Sequence, residues 1–255
     1  MTQLYMRLIG RNRAREVMRP YLLPNDPPKI RAAKSHASRA AQRALNLDNS
    51  AVKLEFMLDM NFNPADLFCT LTFRDGCLPK NRKGVIKCAR RFFDMLRKAR
   101  KLKGDVLKYI YCVEHGENRW HIHAVINAVG LDYEQIRSLW NKWGNNVDFK
   151  TAGEKSIEGI AHYMVKETDR PNSARSWISS KNLIHPTYES YIVKKPAHLQ
   201  TPAGCSEVTA KVDKDEGIGF EFIKYDVPPS ISISHVSGLG DLSDPDIILL
   251  SRRPF

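Results

Sequence analysis

Residues 111–129 read YCVEHGENRWHIHAVINAV and place His121 and His123 one residue apart in an apolar, β-branched run. Strand side chains alternate, so both imidazoles and Val125 point to one face, about 7 Å apart along the strand, while Ile122, Ala124 and Ile126 point to the other. The preceding run VLKYIYCVE (106–114) reads as a second strand, with the polar HGENRW as the turn of a hairpin. If residues 114 and 121 are cross-strand neighbours, 112 faces 123, 110 faces 125, and Glu114 stands on the histidine face. Two imidazoles and a carboxylate can hold a divalent ion such as Mg²⁺ or Mn²⁺ with coordination positions left for a substrate oxygen. A plainer reading stays open: two partly exposed strand histidines with Glu114 as a hydrogen-bond partner. Cys112, facing His123, reads as filler.

A second group lies in GIAHYMVKE (159–167). On a helix, Ile157, Ile160, Ala161, Met164 and Val165 form one apolar stripe, and Tyr163 and Lys166 lie together on the opposite side. A phenol beside an ammonium, with a metal nearby, is a workable pair for attack on a phosphodiester. Tyr163 supplies the nucleophilic oxygen, and Lys166 favours the phenolate or steadies the phosphate. Taken alone, such a pair is common surface decoration; its weight comes from the histidine strand.

These groups need a scaffold. DLFCTLTF (66–73) reads as a strand, and RKGVIKCARRFFDMLRKARKLKG (82–104) as a long amphipathic helix. After the hairpin come a helix over 132–144 with Asp132 as candidate cap, a short strand NNVDFKTA, and the tyrosine helix over 155–168. The order β-α-β-β-α-β-α predicts an α+β fold with an antiparallel sheet covered by helices. Upstream, residues 1–28 read as a basic, proline-rich arm, followed by helices over 29–45 and over AVKLEFMLDMN. The chain thus divides into a basic, mainly helical N-terminal extension (1–63), a catalytic-type domain (64–190) and a C-terminal segment (191–255), where FEFIKYDV reads as a strand.

Charge is distributed unevenly. Residues 1–104 hold 23 Lys and Arg against 8 Asp and Glu, whereas residues 105–255 hold 17 against 20. An excess of this size marks a polyanion partner, and nucleic acid fits better than a membrane surface, because no lipidation motif accompanies it. Arg90, Arg91, Arg97, Lys98 and Lys101 on the 82–104 helix are candidate phosphate contacts. Trp120, in the turn beside the histidines, is a candidate for stacking on an unpaired base. Trp140 and Trp143 read as core. Five scattered cysteines without a CxxC pair point to free thiols in a reducing, cytoplasmic setting, with no secretory signal and no membrane span expected.

Together, FCTLTF (68–73), HIHAVIN with Glu114 on the preceding strand, and YMVK resemble three motifs of the HUH endonucleases. The resemblance is to the rolling-circle replication initiators of phages, plasmids and related mobile elements, and covers roughly residues 64–185. It implies nicking of one strand of single-stranded or hairpin origin DNA, a 5′-phosphotyrosine link, a free 3′-OH for a polymerase, and later rejoining. By the same resemblance, Tyr163 is the nucleophile, Lys166 its partner, and Glu114, His121 and His123 the metal ligands. Position 159 is Gly and 167 is Glu, so the pattern has a single tyrosine. No GxxxxGK[ST] segment is present, so unwinding would fall to a separate helicase. A mobilisation relaxase and a single-tyrosine transposase share this chemistry, though the tyrosine's place after the histidines weakens the first and the basic extension the second. A non-catalytic origin-binding protein is the alternative of another class.

Overall fold

The computed structural model describes residues 2–21, 39–116, 119–130, 133–166, 175–213 and 220–254. In chain order the strands and α-helices are β1 (Gln3–Ile9), β2 (Arg13–Pro20), α1 (Arg39–Asn61), β3 (Leu67–Thr72), α2 (Arg82–Lys101), β4 (Tyr109–His115), β5 (Trp120–Ile126), α3 (Tyr133–Trp140), β6 (Asn146–Thr151), α4 (Ile157–Val165), β7 (Ile178–Ser179), β8 (Thr187–Val193), β9 (Ser206–Asp213), β10 (Phe220–Asp226) and β11 (Ile247–Pro254). The fold is α+β with antiparallel sheets. Two compact units are formed, one from residues 41–183 and one from residues 1–40 with 184–255. Among the described residues no helix is long and apolar enough to cross a membrane.

The 41–183 unit is built on a five-stranded antiparallel sheet in the order β6-β3-β5-β4-β7. Period-two alternation gives it two apolar faces. Leu71, Tyr111, Val113 and Ile122 pack on one side against Val85, Phe92 and Phe93 of α2 and Trp140 of α3. Phe68, Ile110, Cys112 and Val125 pack on the other against Leu54 and Met57 of α1 and Ile160 and Met164 of α4. The helices form where the sequence supplies apolar positions at helical spacing. Asn81 caps α2 by accepting the Gly84 N–H at 3.0 Å, and Gly104, with φ of 81°, lies just beyond the helix where a left-handed residue is needed. Trp140 and Trp143 are buried, as their spacing suggests.

The other unit overturns the expected N-terminal arm. Residues 3–9 and 13–20 are strands, paired with each other inside a six-stranded antiparallel sheet in the order β11-β8-β1-β2-β10-β9. The basic look of MRLIGRNRAREVMRP hides the alternation because charged residues occupy interior positions. Arg7 is buried with Glu16 and Glu189 at 3.8 and 3.6 Å, and Glu16 accepts hydrogen bonds from the Tyr225 hydroxyl and Gly238 N–H. Partnered charges like these can occupy a core that an unpaired one could not. Further along, α1 runs unbroken from Arg39 through the position expected to separate two helices. Residues 29–38 of the first expected helix and the expected cap Asp132 lie outside the described residues. The C-terminal strand expected over 220–227 appears as β10.

Two features of the 41–183 unit give direct tests. The Tyr111 hydroxyl is buried with no hydrogen-bond partner among the described residues. Burial, with the Tyr109 hydroxyl nearby, pushes its pKa from 10.0 up to about 12. The unfolded chain then loses this proton before the folded chain does, so stability is fully present below pH 10 and falls as pH rises toward 12. Tyr111→Phe removes an unsatisfied hydroxyl and is expected to stabilise the protein by about 1 kcal/mol at pH 7. In urea titrations the advantage should widen above pH 10; a variant less stable than the parent contradicts this account. Separately, a Cβ on Gly144 would lie 1.9 Å from the Thr72 carbonyl oxygen and 2.5 Å from Trp140 Nε1. Gly144→Ala should therefore cost about 1–3 kcal/mol by overpacking, read as a fall in Tm.

Candidate active site

The hairpin register is the one alternation predicts: Glu114 opposite His121, Cys112 opposite His123, Ile110 opposite Val125. Thr70 and Thr72 of β3 stand opposite His123 and His121 on the other flank of β5. Each threonine Oγ1 lies 3.1 Å from the Nδ1 of its histidine. With Nδ1 so engaged, Nε2 is the ring nitrogen left on His121, whereas on His123 it already meets Glu114. The rings are stacked 6.2 Å apart between centroids.

Glu114 ties the hairpin to α4. One carboxylate oxygen lies 2.5 Å from His123 Nε2 and the other 3.0 Å from Lys166 Nζ. Tyr163 closes the group: its hydroxyl is 3.4 Å from His123 Nε2, and its ring meets His123 and Phe68 edge-on at 4.9 and 6.0 Å. The Lys166 ammonium sits 3.9 Å from the Tyr163 ring centroid. Tyr163, placed by its helix spacing outside the apolar stripe, is in fact half-buried against the strands.

The electrostatics follow from this crowding. Burial alone would raise the Glu114 pKa, but the Lys166 hydrogen bond and the His123 contacts outweigh it and hold the carboxyl below its ordinary range. Burial lowers both histidines, against the opposing pull of Glu114, so the neutral, ligand-competent imidazoles are favoured. Burial lowers the Lys166 pKa, but its contacts with Glu114 and Tyr163 together outweigh that and raise it. For Tyr163, burial and then the Glu114 charge raise the pKa, and the Lys166 charge only partly offsets them. Lys166 thus pulls toward the phenolate, as its spacing suggests, yet the resting phenol keeps its proton.

Two neutral imidazole nitrogens and a carboxylate are a donor set that fits a divalent ion in its chemistry. As they stand, no group of three or more His, Cys, Asp or Glu side chains among the described residues is gathered closely enough to hold one. Glu114 is turned to His123 and Lys166 instead.

The candidate phosphate contacts lie elsewhere. Arg90, Arg91, Arg97, Lys98 and Lys101 are exposed on α2, which covers the sheet face opposite the histidines. Arg90, Arg97 and Lys101 border a cleft of about 660 Å³ shared with Lys181. Trp120 alternates away from His121, packs against that same α2-side core, and meets His115 at 4.4 Å. Thr70 and Thr72 are not singled out by motif spacing, although period two in FCTLTF places both on the face of Phe68.

Comparison with known families matches residues 66–168 to the replication-associated protein ORF2 family. That span begins one residue before β3 and takes in both histidines, Glu114, Tyr163 and Lys166. Neither curated proteins nor solved structures give a match. The family match is consistent with a rolling-circle replication initiator, and this stretch of the chain is similar to replication-associated proteins.

Proposed function

We propose that the protein is a replication initiator that nicks one strand of single-stranded or hairpin origin DNA and later rejoins it. The observation that carries this reading is the convergence of Tyr163, Lys166, Glu114 and His123 within hydrogen-bond or ring contact, inside the span similar to replication-associated proteins. Tyr163 Oη attacks the scissile phosphorus. The bond from phosphorus to the upstream 3′ oxygen breaks, which leaves a 3′-OH and a 5′-phosphotyrosine, and reversal by that hydroxyl rejoins the strand. Lys166, held beside the ring by Glu114, stabilises negative charge as the phenolic proton leaves to solvent, and the departing 3′ oxygen takes up a proton in turn.

His121, His123 and Glu114 would hold the Mg²⁺ or Mn²⁺ ion, which supplies polarisation of the scissile phosphate when bound. The exposed basic residues of α2 would add sequence-independent, salt-sensitive affinity on the sheet's other face. Strand opening and synthesis would fall to a separate helicase and polymerase in the host cytoplasm. Among the described residues Tyr163 is the tyrosine whose hydroxyl meets the histidine pair, at 3.4 Å from His123 Nε2, while Tyr109 and Tyr111 of β4 lie on the α2 side of the sheet, which favours the single-tyrosine form of this chemistry.

Incubation with origin-bearing single-stranded DNA and Mn²⁺ should give a covalent protein–DNA band on denaturing gels. Tyr163→Phe and EDTA should each abolish it. A protein that binds this DNA but never forms the band is a non-catalytic origin binder, and the proposal then fails. For the ion, Thr70→Val and Thr72→Val free the histidine Nδ1 atoms and should weaken Mn²⁺ binding about 10–100-fold in calorimetry. Unchanged affinity would remove these histidines from the ligand set.

A further inference from the structure

Tyr163 is bracketed by two ammonium groups. Lys166 Nζ lies 3.9 Å from its ring centroid, and Lys155 Nζ lies 4.7 Å from it and 5.5 Å from that of Phe68. The two cations differ in what neutralises them. Lys166 is paired with Glu114 at 3.0 Å, whereas Lys155 has no carboxylate partner among the described residues. An unpaired cation against the nucleophile is a place where an incoming anion gains most.

Its backbone is fixed from both sides. Lys155 follows the turn Ala152–Glu154, closed by a capping box in which Glu154 accepts the Thr151 N–H at 2.9 Å. That turn is tied to the chain before β3 by Ala152 N–H to Asp66 O and Gly153 N–H to Pro64 O, at 2.7 and 2.8 Å. Immediately after it, Ser156 caps α4 by accepting the Gly159 N–H at 2.9 Å. Position 159, one turn before Tyr163, is glycine, so no side chain there competes for the space on that face of the helix. A lysine held this way, with its ammonium over two ring faces, is a preorganised cation rather than a freely moving surface one.

We infer that Lys155 binds the scissile phosphodiester, as a substrate-binding residue distinct from Lys166. The division of labour comes from the pairing: Lys166 is committed to Glu114 and the phenol, and Lys155 meets the charge that the DNA brings. This rests on the nicking reading, so its test is separated from cleavage.

DNA affinity is measured in the Tyr163→Phe chain, which keeps the ring but cannot form the adduct, using single-stranded DNA across a range of salt concentrations. Lys155→Gln should weaken binding about 3–10-fold at about 0.15 M salt and reduce the slope of log K against log[salt] by about 0.7. Lys155→Arg should restore both. With a neutral methylphosphonate in place of the scissile phosphate, Lys155→Gln should bring no further loss. An unchanged slope, or a penalty that persists on the methylphosphonate strand, overturns the assignment. Failure of the unmodified protein to form a covalent band would count against nicking itself and is read in a separate experiment.

Discussion

One carboxylate holds the candidate site together. Glu114 is half-buried at the end of a sheet face, where a charge without partners would be costly, and each oxygen is committed: one to His123, the other to Lys166. The first contact is within the hairpin, the second crosses from the hairpin to α4. Without that crossing, the phenol and the histidine strand would share only ring packing and a long 3.4 Å contact. The arrangement also depends on register. A slip of one residue in β5 would turn His121 and His123 toward the α2-side core and bring Ile122 to the polar end. The apolar residues continuing both strands, Ile110 and Val125 beneath α1 and α4, make that slip expensive.

The sheet also has two unlike faces. Its histidine face, continued by Thr70, Thr72 and Glu114, carries the groups that can do chemistry. Its opposite face lies under α2, whose exposed side carries the clustered arginines and lysines. Electrostatic attraction reaches about 8 Å at physiological salt, so under the proposed function charges on α2 would serve affinity and orientation rather than the reacting phosphate. That is a physical reason to look beside Tyr163 for the cation that meets the cut.

Short-range periodicity is the part of the site that is legible in the sequence. Alternation in CVEHGENRWHIHAV defines the faces and the register that align Glu114 with His121, and helical spacing in IEGIAHYMVK puts Tyr163 and Lys166 together. The same period two in FCTLTF contains Thr70 and Thr72, but their partnership with the histidines needs the pairing of β3 with β5, a contact over some fifty residues. Residues 3–20 look like an unstructured arm for a related reason. Their strands close on β8 and β10 from the far end of the chain, and buried Arg7 and Glu16 look solvent-facing until those partners are known. The protonation of Tyr163 is equally out of reach, because it is set by burial and by the Glu114 charge, neither of which spacing reports.

Tyr163 rides on a helix of nine residues that is anchored unequally at its two ends. The first turn is pinned by the Ser156 cap and by the capping-box turn before it, which is itself bonded to the segment preceding β3. At the other end, Lys166 is fastened through its ion pair with Glu114. Such short helices take most of their stability from packing rather than from propensity, and here Ile160, Ala161, Met164 and Val165 are buried in the cluster against which Tyr163 also packs. Tyr163 is thus placed by this packing and by its ring contacts with His123 and Phe68, with Lys155 before the helix and the Lys166–Glu114 pair after it. Those two contacts are opposite in character: a cation with no carboxylate partner among the described residues and a fully committed carboxylate, so on the nicking proposal an arriving phosphate would occupy the first without having to break the second.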